Sequence, residues 1–536
     1  KIFVSTLLIV FCFLFATTSC AKRGSIYGGA KDTIAPKIIG SSPENFKTNF
    51  KGKEIKIVFD ELIKVKNINK QLIISPPMEK QPIIVPQGSA SKYISIKILD
   101  DLLENTTYSF NFGQSIIDNN EGNPYSQFKY IFSTGSYIDS LSIVGKIKDA
   151  YDRKADNFVS VMLYDAKTYT DSTVYKETPI YVTNTLDSLK LFSLENLKEG
   201  EYQIIALKDK NGNNKFDPKS DKIGFLNETI IIPTETVFEL ELFKEKTPSK
   251  IEKPIQQSTN KYFLPIEGAV EDLKITLQQG QNNFPVKLAK LLSPKTDSIQ
   301  LFIPNKIEND SLSFLVERKG FSKSYKLKHK EIKETDSLSV SENTRGILNF
   351  REIYNLTTTT PLSKMDESKI SVLDKDSIAI AFKANYEDFE QKITIDFKKE
   401  QEQKYQLTFL PGAFTDMYEN TNDTLVKTIA TKSYGDYGNL RVTLKNVDRF
   451  PIILELLDSK GVVLASQTSD NKNILDFDLI NPLIYTLRII YDDNKNGIWD
   501  TGDFLSKTIA EQIIYMVEDV DVRANWDVNQ EFDVGN

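Results

Sequence analysis

Apolar and polar residues alternate with a period of two through most of the chain. In "EIKIVFDE" the apolar Ile55, Ile57 and Phe59 stand between charged or polar neighbours, and "YISIKIL", "YSFNFG" and "KYIFSTG" repeat the pattern. Successive side chains of a strand point to opposite faces, so this period predicts half-buried β-strands. Turn residues such as those of "DNNEGN" separate the runs. Further candidate strands are "IQLFIPN" and "DSLSFLVERKG". The expectation is an all-β fold of tandem β-sandwiches.

The pattern also repeats over a long interval. "KYQLTFLPGAFTDMYENTND" follows "TYSFNFGQSIIDNNEGNP", pairing Tyr405 with Tyr108 and Asp416 with Asp118. Phe350 and Glu352 in "ILNFREIYNL" align with Phe59 and Glu61, and Leu440 falls on Leu141, at separations of roughly 290 to 300 residues. Order and spacing are kept, which marks a duplicated unit. The expected units are sandwiches over 33–136 and 140–245, a linker at 246–257, a middle β-domain over 258–337, and second copies over 338–436 and 438–536. "YGDYGNL", Tyr434 to Leu440, reads as a junction packed on its neighbours, with an aromatic contact surface as the alternative.

Two acidic, Asn-rich loops occupy equivalent places in the copies, each directly after an apolar run. Calcium loops of the EF-hand type place ligands at positions 1, 3, 5, 7, 9 and 12, with Gly at 6 for the sharp turn. Downstream, Asp492, Asn494, Asn496, Ile498, Asp500 and Asp503 fill the six ligand positions around Gly497. Ile498 would contribute its backbone carbonyl. Upstream, Asp209, Asn211, Asn213, Lys215 and Asp217 fill positions 1 to 9, Asn214 replaces the Gly, and Asp221 lies one residue beyond position 12. Asn tolerates the left-handed conformation that position 6 requires. An all-oxygen set suits a hard cation, so the expected cofactor is a structural Ca2+. A hairpin turn that binds nothing is the alternative, because the same residues are ordinary turn formers. No helical period flanks either loop, so strands would carry them.

Length and charge narrow the function. A chain of 536 residues exceeds what one core serves, and a net charge of −7 offers no basic stripe for nucleic acid. The single histidine, His329, lies in the polar run "KLKHKEIK", and no G-x-S-x-G motif occurs. A carboxylate pair of the glycosidase kind stays open among the acidic residues. The expectation is a protein that is not an enzyme.

The opening stretch "KIFVSTLLIVFCFLFATTSC" sets a lysine before an apolar run that ends in small residues and Cys20. It is shorter than the roughly 20 apolar residues of a membrane span and reads as a signal peptide over residues 1–19. Thr17-Thr18-Ser19-Cys20 resembles a bacterial lipobox, with Thr17 where Leu is more usual. The resemblance implies a lipid on Cys20 and a tether over 20–32; an ordinary secretory signal with an incidental cysteine is the alternative. Either way the mature chain keeps no cysteine pair, so metal could stand in for disulfides.

"GGAKDTIAPKIIGSSPEN" followed by a strand with "FDE" is similar to the S-layer-type bacterial Ig-like domain of Bacteroidota lipoproteins. The segments at 140–245 and 438–536 resemble the transthyretin-like, or carboxypeptidase regulatory-like, sandwich, and their loops resemble those of dockerin-like and thrombospondin-like modules. These resemblances imply a lipid-anchored outer-membrane protein, at the cell surface more than on the periplasmic face. It would serve as an accessory subunit of a machine built on an integral β-barrel, in barrel assembly, secretion or nutrient import. The alternative is a module for surface glycan or adhesion.

Overall fold

The computed structural model describes residues 31–186, 190–247, 250–268, 272–279, 282–290, 298–305, 311–318, 320–332 and 336–535. The expected signal peptide and Cys20 lie outside the described residues. The chain forms five β-sandwiches in sequence order, here called first to fifth. Helix among the described residues is limited to single turns such as Ile68–Gln71 and Thr173–Lys176.

In the first sandwich the long strand Glu54–Val65 buries Ile55, Ile57, Phe59 and Ile63 against Ile94, Ile96, Phe110 and Phe132, as its period of two demands. The fourth sandwich reproduces its fastenings. The Tyr108 hydroxyl accepts from the Leu103 amide at 2.9 Å, and the Tyr405 hydroxyl from the Glu400 amide at 2.7 Å. Asp118 and Asp416, both buried, each gather the backbone amides of their own turn. The expected match of Phe350 to Phe59 is corrected. Phe350 sits in a turn ahead of the strand Tyr354–Thr358, whose Tyr354 and Leu356 fill the core. The Phe-x-Glu pattern had masked the true start of the alternation. Phe350 instead packs on Tyr434 and Tyr437, with ring centroids 4.9 and 5.3 Å away, so "YGDYGNL" is a junction.

Residues 246–257, expected as a linker, are also reassigned. Lys250–Ile251 and Ile255–Gln256 pair with strands of the third sandwich, and Ile251 is buried in its core. The segment looks unpatterned because two-residue strands are too short to display a period.

The second and fifth sandwiches share one topology. In the second, a sheet ordered Tyr181–Asn184, Ser160–Asp165, Gly200–Lys208, Lys222–Phe225 covers a sheet ordered Leu191–Leu197, Leu141–Asp149, Val237–Leu242. The fifth repeats this with Val463–Ser469, Ile452–Leu457, Leu483–Tyr491, Ile513–Tyr515 over Ile474–Ile480, Gly438–Lys445, Asp527–Asp533. In both, the final strand runs parallel to the first. Gly145 makes that parallel contact in the second sandwich: a Cβ there would stand 2.4 Å from both the Phe238 carbonyl oxygen and the Phe192 ring. Gly145→Ala is therefore expected to cost about 1–3 kcal/mol by forcing the strands apart. The exposed neighbour Val144→Ala should stay within about 0.5 kcal/mol. Thermal denaturation of the two variants checks this.

Candidate metal loops

Each loop starts where a nine-residue strand of its sandwich ends, at Lys208 and at Tyr491. Lys208 pairs with Lys222, so Asp209 faces Asp221 across the hairpin. Ile490 pairs with Ile513, and the Tyr491 amide reaches the Gln512 carbonyl, so Asp492 faces Glu511. Glu511 thus stands where Asp221 stands upstream. Asp221 accepts from the Asp217 amide at 3.0 Å, and Glu511 from the matching Asp500 amide at 2.9 Å.

Upstream, the Asp209 carboxylate collects the amides of Asn211, Gly212 and Asn214 at 2.7–2.9 Å. Asn213 accepts from the Lys215 amide at 2.9 Å. Asn214 has φ 55°, the left-handed conformation that a position-6 residue needs. Asp217 accepts from the Lys219 amide, while Asp221, wholly buried, also accepts from the Lys210 amide and the Ser220 hydroxyl. Downstream, Asp492 accepts from the Asn496 and Gly497 amides, and Gly497 has φ 80°. Asn494 and Asn496 both donate side-chain amide hydrogens to the same oxygen of Asp500. Ile498 is exposed, and its amide donates to Asn496.

Asp503, expected to close the downstream loop at position 12, turns away to accept from the Ser506 amide at 2.7 Å. The count of twelve assumes a loop that leads into a helix, whereas this one returns as a hairpin. Twelve positions separate Asp209 from Asp221 and nineteen separate Asp492 from Glu511, so the downstream loop is seven residues longer. Glu511 was missed for that reason; the pairing of the two flanking strands is the signal that locates it.

The donors Asp492, Asn494, Asn496, Asp500 and Glu511 are all oxygen-bearing, which fits a hard cation once the two asparagine amides present their oxygens. No group of three or more His, Cys, Asp or Glu side chains gathers at metal-holding distance among the described residues, so asparagine and backbone oxygens would have to complete either shell. Burial pushes the Glu511 carboxyl up, against the hydrogen bonds from the Asp500 and Asn494 amides. The hydrogen bond from Lys246 holds Asp500 low.

The insertion forms an arm, residues 501–508, that crosses to the second sandwich. Thr501 donates to the Lys244 carbonyl at 2.7 Å and the Phe504 amide to Glu245 at 2.7 Å. The Phe504 ring, 1% exposed, enters the cluster of Phe216, Phe225 and Phe243, lying 5.2 Å from Phe225 and edge-on to it. Lys507 lies over the Phe504 ring and pairs with Asp171. A second contact centres on Arg488, 1% exposed, which bonds Glu455 at 2.6 Å, the Tyr515 hydroxyl at 2.8 Å and the Tyr151 hydroxyl at 3.0 Å. The Tyr151 ring lies 4.4 Å from the Arg488 guanidinium and 4.8 Å from the Trp499 ring. His329 faces the Tyr262 hydroxyl and the Gln256 amide.

Residues 32–134 match the bacterial Ig-like domain family. No curated protein matches the chain. Among solved structures the chain is similar to the S-layer protein rSbsC(31-844), at 12% identity and a TM-score of 0.16, covering 91% of this chain and 67% of that one. It is also similar to BcpA, the major pilin subunit of Bacillus cereus, at 13% identity and a TM-score of 0.14, covering 74% and 99%. The I9–I11 tandem of titin gives 9% identity and a TM-score of 0.12, covering 53% and 100%.

Proposed function

We infer that this chain is an exported, non-catalytic scaffold, anchored to the outer membrane by a lipid on Cys20 and serving as an accessory subunit of an assembly around an integral β-barrel protein. Calcium in the two loops stabilises it, and the cell surface is its expected side. The observation that supports this reading most is the arm at Thr501–Thr508. It joins two sandwiches far apart in sequence, so the downstream loop is built into an internal contact. Of the exposed aromatics, Phe46 and Tyr93 belong to the first sandwich, Tyr137 follows it and Trp526 lies in the fifth, and among the described residues no ring contact joins them into a stacking platform for sugar. Gentle detergent extraction of tagged protein should bring down one barrel protein in stable ratio. Retention on a polysaccharide column with no stable protein partner would favour the glycan-binding alternative instead.

The metal is tested separately. Extracellular calcium modules bind with Kd on the order of 10⁻⁴ to 10⁻³ M, and ligand at a hundred times Kd stabilises by about 2.7 kcal/mol. Excess calcium should raise the melting temperature above that in chelator, and Glu511→Gln should remove most of the downstream share. A melt indifferent to calcium, with no calcium in the purified protein by elemental analysis, would end the staple reading.

A further inference from the structure

Just beyond the strand Val237–Leu242, the three residues Lys244 to Lys246 of the second sandwich touch both acidic loops. Lys244 sends its ammonium to the upstream loop, where it takes main-chain oxygens, the Pro218 carbonyl at 2.8 Å and the Asp221 carbonyl at 3.2 Å. Its own carbonyl and the Glu245 carboxylate hold the downstream arm. Lys246 goes further and enters the downstream loop itself. Its ammonium pairs with Oδ1 of Asp500 at 2.7 Å, while Oδ2 of the same carboxylate accepts from the Asn494 side-chain amide at 2.6 Å and from that of Asn496.

Donors therefore occupy both oxygens of the carboxylate that stands at the ninth ligand position. They differ in kind. Asn494 and Asn496 become acceptors by rotating a side chain, whereas an ammonium carries three donors and no lone pair to offer a metal. Lys246 stands in for the cation, with a charge that the second sandwich lends to a loop of the fifth. We propose that Lys246 is a tethered cation that competes with metal at Asp500, so that calcium in the downstream loop and the ion pair between the second and fifth sandwiches weaken each other.

The proposal rests on the calcium reading of that loop and deepens it by naming a residue that sets the affinity. Calcium lies about 2.3–2.6 Å from its oxygen ligands, so an ion on Oδ2 would stand within about 7 Å of the ammonium on Oδ1. Repulsion between a divalent and a single charge at that distance is worth roughly tenfold in affinity in water at low ionic strength, and salt reduces it. The coupling is reciprocal: calcium loosens the Lys246–Asp500 pair by the same factor, and the loaded arm is held by Phe504 and its contacts to Lys244 and Glu245.

Terbium(III) luminescence of the full chain tests this. Trp526→Phe leaves Trp499 as the one tryptophan, and its indole donates to the Glu511 carbonyl at 2.8 Å, beside the downstream loop, where it can sensitise bound terbium. Displacement of the terbium by calcium then gives the calcium affinity. In this parent chain Lys246→Met should tighten calcium binding roughly tenfold at low ionic strength, with the gain shrinking as salt is added. Lys246→Arg should match the parent. The Lys246 side chain is 55% exposed, so neither replacement disturbs a core. Equal calcium affinities in the parent and Lys246→Met, with terbium bound in both, overturn the proposal and leave the calcium reading standing. An equal gain in Lys246→Arg also overturns it, because charge is then not the cause. No tryptophan-sensitised signal in any of the three chains removes metal from the downstream loop and overturns both.

Discussion

Truncating Phe504 to alanine is expected to be the most damaging change in either loop. The ring is 1% exposed and fills a cluster that belongs to another sandwich, between Phe216, Phe225 and Phe243. Removing a buried Phe costs about 3–5 kcal/mol, because the transfer energy of the ring is lost and a cavity remains. Here part of that cost appears as undocking, since the arm keeps its polar contacts to Lys244 and Glu245 and the Lys507–Asp171 pair but loses its buried anchor. Multi-sandwich chains do not unfold in two states, so a single melting temperature would blur the effect. Amide exchange over 216–225 is the sharper measurement, with local opening made easier by roughly 3 kcal/mol. Leu505→Ala, one residue on and 62% exposed, should change it by less than about 0.5 kcal/mol.

Arg488 carries the second large effect. Replacing it with isoleucine strands Glu455, whose side chain is 14% exposed, and removes the partner of the Tyr151 and Tyr515 hydroxyls. Breaking a buried pair from one side costs about 3–5 kcal/mol. The duplication supplies the control. In the second sandwich the positions of Glu455 and Arg488 are held by Met162 and Ile205, both 0% exposed. The double variant Glu455→Met with Arg488→Ile should therefore recover most of the lost stability of the fifth sandwich. It should not recover the contact with Tyr151, which an apolar pair cannot hydrogen-bond. Chemical denaturation reads the first outcome and exchange at 149–153 the second. Equal damage in the single and double variants would show that Arg488 acts on something other than Glu455.

Much of the fold was legible because strands announce themselves every second residue. Ile55, Ile57 and Phe59 marked a strand, and Tyr108 with Tyr405 marked a repeat whose hydrogen bonds recur. Pattern failed where elements were short. Lys250–Ile251 has too few residues to alternate, and Phe350 carried a strand-like motif into a turn. The loops were legible up to the ninth position, since Asp209, Asn211, Asp492, Asn494 and Asp500 act through neighbours within a few residues. Closure was not, because Glu511 is brought in by the pairing of Leu483–Tyr491 with Ile513–Tyr515 across an inserted arm. Nothing local marked Arg488 or Phe504 as contacts. Each is an ordinary residue of its strand or turn until the second sandwich lies against it.

The second and fifth sandwiches are docked through the arm. Electron–electron double resonance between nitroxides on cysteines introduced at the exposed Ile231 and Ile484, with Cys12 and Cys20 replaced, measures this in the full chain. A single narrow distance distribution that broadens in Phe504→Ala is the predicted result. A broad distribution in the otherwise native chain, unchanged by Phe504→Ala, would contradict it.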